Sequence, residues 1–130
     1  MMPEPAELVR GVLPDPGPRF DRLPEIPEWK QFEQGMALYH HGQYLEARLH
    51  FTNMLRDRRE SPLRTSIQAF LAESTLQSRD PDVRPLDIID QYKTLMRENP
   101  QSTNAKRAAW RIGDVYRIEG WFQAAQIAYQ

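Results

Sequence analysis

A chain of 130 residues suffices for one hydrophobic core and is too short for two independent domains. Its 17 lysines and arginines nearly balance 18 aspartates and glutamates, and a formal net charge of -1 makes no case for nucleic acid or an anionic membrane surface as partner. Cysteine is absent, which excludes disulfides, zinc ribbons and thiol nucleophiles while leaving the compartment open.

No apolar run is long enough to span a bilayer, and Met1 to Leu13 lacks the basic start and apolar middle of a secretory signal. Periplasmic or envelope-associated work would therefore require a targeting segment upstream of Met1; without one the expectation is the cytoplasm. Seven of the eleven prolines fall between Met1 and Pro27, so residues 1–27 read as a proline-rich extended arm or linker. Ala6 to Val12 has room for a turn or two of helix. Leu13, Phe20, Leu23 and Ile26 would equally let the arm pack along the first helices.

From Glu28 the apolar spacing becomes helical. Trp29, Phe32, Met36 and Tyr39 predict a helix over about 28–41, with Pro27 at its first position and Gly42 as left-handed cap. Tyr44, Ala47, Phe51, Met54 and Leu55 predict a second helix over about 44–58. Ser61-Pro62 supplies an N-cap and first residue for a third over about 62–78, carrying Leu63, Ile67, Phe70, Leu71 and Thr75. The loop Ser78 to Pro85 is an insertion. A fourth helix over about 85–98 presents Ile88, Tyr92 and Leu95. A fifth, over about 102–119, presents Ala105, Ala109, Ile112, Gly113 and Tyr116 and stops at Gly120. A sixth starts near Trp121.

Two distant stretches share one pattern. Gly35-x6-Gly42-x-Tyr44-x2-Ala47-x3-Phe51 returns as Gly113-x6-Gly120-x-Phe122-x2-Ala125-x3-Tyr129. The separation is two units of about 34 residues plus an insertion, so a third, irregular copy is expected between them. Glycine costs about 1 kcal/mol against alanine inside a helix, and its return at the same place points to a packing need where two antiparallel helices cross. Ala72, opposite Ile88, would take that role in the middle copy, while Phe51, Tyr92 and Tyr129 would fill the space between successive pairs.

On these residues the chain resembles the tetratricopeptide repeat family. Gly35-Met-Ala-Leu-Tyr39, Gly42 to Ala47 and Phe51 match the family's small, aromatic and alanine positions, as do Trp110 to Tyr116 and Gly120 to Tyr129. The resemblance implies an all-α fold over 28–130: a right-handed superhelical α-solenoid of antiparallel helix pairs, with about three repeats near 28–60, 61–100 and 101–130, the last incomplete. Asn99 to Ser102 with Ala105 and Ala108 to Gly113 is similar, more narrowly, to repeats of bacterial envelope proteins of the Tol-Pal coordination and outer-membrane assembly lipoprotein type.

The family lines a concave groove with the first helix of each pair. The resemblance thus implies a partner-binding groove of Trp29, Phe32, Met36, Tyr39 and His40 in the first repeat and Trp110, Asp114 and Arg117 in the last. Aromatics and arginine suit that role. For Trp29 and Phe32 a second reading stands: core residues packed under the arm. Some relatives read a terminal carboxylate with lysine and asparagine, but Phe32, Met36 and Trp110 occupy several of those places, so a chaperone-tail clamp is not expected.

His40, His41 and His50 make no metal set, since neighbours on a helix point about 100° apart and no cysteine or carboxylate pair completes them. Asp80, Asp82, Asp87 and Asp90 lack the central glycine and closing glutamate of a calcium loop, and read as caps and a solvated face. Arg56, Arg58, Arg59 and Arg64 are interrupted by Asp57 and Glu60, so they read as an exposed turn. No nucleophile and base, phosphate loop or isolated carboxylate pair is legible, and neither catalysis nor a cofactor is expected. The expected function is a protein-interaction scaffold, in a bacterial envelope assembly by the narrower resemblance. The alternative is a self-associating module or a piece of a longer array, since Trp121, Ile127 and Tyr129 leave apolar surface open on the last helix.

Overall fold

The computed structural model describes residues 27–129. The expectations for the arm lie outside them. The described residues form six α-helices and no strand: α1 Trp29–His40, α2 Tyr44–Asp57, α3 Arg64–Ser78, α4 Pro85–Glu98, α5 Thr103–Ile118 and α6 Phe122–Ala128. They divide into two compact bodies at Asp80 and Pro81, inside the inserted loop and inside the span 61–100 expected as one repeat.

The first body holds α1, α2 and α3, each in contact with the other two. Gly42 ends α1 at φ +79°, where only glycine is unstrained. Its N–H donates to Tyr39 O at 3.0 Å and that of Gln43 to Leu38 O at 2.9 Å, the paired bonds of a left-handed helix stop. That reversal lays α2 back along α1 so that Gly35 meets Phe51. A Cβ added at Gly35 would sit 2.6 Å from Phe51 Cζ and 2.8 Å from His50 Cδ2, closer than carbon atoms approach. The core joins Phe32, Tyr39, Ala47, Phe51, Met54, Leu63, Ile67 and Phe70. Phe70 of α3 is its hub, its ring 5.6 Å from those of Phe32, Tyr39 and Phe51.

Helix α3 begins at Arg64, two residues later than Pro62 as expected. Ser61 does cap, but it caps a turn: its Oγ accepts from Leu63 N at 3.0 Å while its carbonyl accepts from Arg64 N at 3.0 Å. The Ser61 hydroxyl also donates to Glu28 beside the start of α1, tying that turn to the first helix.

In the second body α5 packs against both α4 and α6. Pro85 opens α4 at a position that needs no N–H, and the backbone N–H of Arg84 donates to Asp87 Oδ2 at 3.3 Å. Ser102 caps α5 by accepting from Ala105 N at 3.0 Å. Ile88, Ile89, Tyr92 and Leu95 of α4 are buried, as are Ala105, Ala108, Ile112 and Val115 of α5. Gly120 repeats the Gly42 stop at φ +81°, with Gly120 N donating to Arg117 O at 3.0 Å and Trp121 N to Tyr116 O at 2.7 Å. Gly113 repeats Gly35, since a Cβ there would lie 2.7 Å from Tyr129 Cδ1. The duplicated pattern is thus one joint built twice, with the same stop, crossing and aromatic cover.

Candidate functional site

The expected groove residues of the first body all lie on α1, yet at very different depths. Phe32 has no exposed surface and packs against Phe51 and Phe70 at ring separations of 6.0 and 5.6 Å. Tyr39 is buried and its hydroxyl donates to Glu73 Oε2 of α3 at 3.3 Å. Trp29 and Met36 are half-buried against this core. Only His40 is open to solvent, its ring standing edge-on to Tyr39 at 5.4 Å. In this body α3 is the element that covers the aromatic face of α1 and α2.

In the second body Trp110, Asp114 and Arg117 follow one another at four- and three-residue steps along α5, on neighbouring faces. Trp110 keeps 48% of its surface exposed, with its ring 5.1 Å from that of Tyr129. Asp114 has none exposed. Its Oδ2 accepts from Arg111 Nη1 at 2.9 Å, its Oδ1 accepts the Tyr129 hydroxyl proton, and Arg117 Nη2 stands 3.6 Å from Oδ1. A buried carboxylate needs such partners, because without them it loses its hydration and gains nothing in return. Burial first, and then the hydrogen bond to Asp114, push the Tyr129 phenol up to about 12, while Arg117 acts in the opposite direction. Tyr129 therefore serves as a donor at physiological pH. The Arg117 Nε is shielded from solvent and has no hydrogen-bond partner.

Arg111 and Tyr129 belong to this cluster and were not foreseen as parts of it. A legible signal exists in the duplication: the shift that carries Gly35 to Gly113 carries Met36 to Asp114, Tyr39 to Arg117 and Phe51 to Tyr129. Positions that are apolar or aromatic in one copy become a hydrogen-bonded polar set in the other. In the same body Met96 of α4 with Ala109, Ile112 and Tyr116 of α5 and Ala124 and Ile127 of α6 line an apolar cleft of about 340 Å³.

Among the described residues no three histidine, aspartate or glutamate side chains converge as a metal site. His50 Nε2 instead lies 2.5 Å from Gln31 O, Asp80 pairs with Arg48 at 3.2 Å and Asp87 with Arg84 at 3.0 Å. The Arg84 guanidinium, by its hydrogen bonds, holds the Asp87 carboxyl below its ordinary value. Among the described residues no helix is long and apolar enough to cross a membrane. No family model matches the chain, and neither the curated proteins nor the solved structures contain a match.

Proposed function

We propose that the chain is a protein-interaction scaffold of the tetratricopeptide kind, binding a partner as a peptide or helix. The repeated joint of Gly35 on Phe51 and Gly113 on Tyr129 supports the repeat reading, and scaffolds of stacked helix pairs present extended surfaces to other proteins. The observation that carries the functional reading is the exposure of large apolar side chains on the second body: Trp110 at 48%, Trp121 at 44%, Phe122 at 60% and Ile127 at 72%. Water disfavours such a concentration unless another surface covers it. A bacterial envelope assembly is the setting that the narrower sequence likeness supports.

The same exposed side chains favour a second reading, in which copies of the chain cover one another. The two are separated by passing a lysate of the source cells over the immobilised chain and its Trp110→Ala and Phe122→Ala variants, with light scattering over a hundredfold range of concentration. The scaffold reading expects a distinct protein retained by the parent and lost by at least one variant. A chain that captures nothing and whose mass doubles with concentration would replace it with self-association.

A further inference from the structure

The basic turn between α2 and α3 plays no part in the scaffold reading. Residues 58–63 lie outside any helix; Arg58, Arg59 and Pro62 are exposed, and Ser61 is half-buried among them. The stretch reads Arg58-Arg-Glu-Ser61-Pro-Leu-Arg64, and Ser61 is the one serine or threonine of the chain that a proline follows. Protein kinases select their serines by the charge and shape of the flanking residues. A proline directly after the hydroxyl, with arginines on both sides, suits a proline-directed kinase whose substrate groove is acidic. Other hydroxyls are placed differently: Ser66, Ser74 and Thr75 are buried in α3, and Thr52 on α2 donates to Arg48 O at 2.7 Å.

Few bonds hold the turn closed. Ser61 N–H donates to Arg58 O at 3.2 Å, while the Ser61 carbonyl accepts from Arg64 N and its Oγ from Leu63 N, both at 3.0 Å. So short a set opens locally far more readily than a packed helix, and an open turn can extend into a kinase groove. The hydroxyl itself donates to the Glu28 side chain, and Glu28 is only 5% exposed. The Glu28 carbonyl in turn accepts from Phe32 N at 3.0 Å, which places this contact at the start of α1. Glu28 and Ser61, with Arg56, Arg58 and Arg59, line one open depression of about 490 Å³, room enough for a phosphoryl group beside cationic side chains.

We propose that Ser61 is a phosphorylation site and that its phosphate unties the α2–α3 turn from α1. The donor is the nucleoside triphosphate of a separate kinase. The Ser61 Oγ–H bond and the bond from the γ-phosphorus to the bridging oxygen break, an Oγ–P bond forms, the nucleoside diphosphate leaves, and the hydroxyl proton passes through the kinase's base to solvent. The ester oxygen carries no proton, so the donation to Glu28 ends. A group of about -2 charge then stands beside a shielded carboxylate, which repels it, while its oxygens pair with the arginines of the turn.

The test incubates the full chain with ATP and a proline-directed serine/threonine kinase and maps the product by tandem mass spectrometry. A peptide of residues 56–64, whose only hydroxyl is that of Ser61, is the companion substrate. One phosphate is expected, on Ser61, and none in a Ser61→Ala chain. In urea the phosphorylated chain is expected to unfold with an equilibrium constant raised about fivefold or more over the unmodified chain. In a Glu28→Gln chain with unchanged far-UV circular dichroism, the same modification should raise it by less than about twofold, because the opposing charge is gone. A chain that takes no phosphate at Ser61, whether or not the peptide does, overturns the site. A penalty equal in the parent and Glu28→Gln chains, or none in the parent, overturns the untying of α1.

Discussion

Gly35→Ala sets two known effects against each other and lets the structure decide the sign. Alanine inside an exposed helix stabilises by about 1 kcal/mol over glycine. At position 35, however, the new Cβ lies 2.6 Å from Phe51 Cζ, and the Phe51 ring has no exposed surface into which to retreat. It is held at 6.0 Å by Phe32 and at 5.6 Å by Phe70. Forcing a methyl into such a core costs about 1–3 kcal/mol, to which the strain of moving three rings adds. The expected outcome is a net loss of about 1–2 kcal/mol. Urea unfolding followed at 222 nm reads it, and Phe51→Leu in the Gly35→Ala background should give an interaction energy of at least about 1 kcal/mol in favour of the double variant. A Gly35→Ala chain that gains about 1 kcal/mol, as propensity alone dictates, would refute the crossing argument.

Gly113→Ala should cost less than Gly35→Ala, because the half-exposed Tyr129 ring can swing outward; its trace is a Tyr129 titration falling back toward 10.0, read by ultraviolet absorbance. Tyr129 also predicts a pH dependence: since the folded chain holds the phenolic proton more tightly, its contribution is full below pH 10 and is lost as pH rises through about 12. The stability of a Tyr129→Phe chain should lack that component, and identical alkaline profiles for the two chains would contradict it. Phe32→Ala should cost about 3–5 kcal/mol as a fully buried ring, and Trp110→Ala much less, by thermal or urea unfolding. Ser102→Ala should cost about 1 kcal/mol through loss of the α5 cap, against almost nothing for Gln43→Ala, whose side chain makes no capping bond to α2.

The helices were legible because their ends are written in residue types that do one job. Gly42 and Gly120 stop α1 and α5 where expected, and Pro85 and Ser102 open α4 and α5. Ser61-Pro62 misled by two residues, since Asn-, Asp- and Ser-type side chains cap turns by the same hydrogen bond that caps helices. Periodicity identified the face on which Phe32, Tyr39 and Asp114 lie, but a face has no depth in sequence. For Phe32 and Tyr39 the depth is set by α3, which places Phe70 on Phe32 and Glu73 at the Tyr39 hydroxyl; for Asp114 it is set with Arg111 and Tyr129 of its own body. Arg111 was missed for a related reason: a long cation is assigned to solvent by default, and its pairing with Asp114 three residues on, at 2% exposure, is a contact that periodicity does not announce.

The most direct test of the interaction-scaffold claim is photo-cross-linking with a benzoyl-phenylalanine at position 110 of the full chain, in a lysate of the source cells, against the same group at the exposed Lys106. The account predicts one dominant adduct to a distinct protein from position 110 and none from position 106. Adducts of equal yield and pattern from both positions, or none from either, would contradict it.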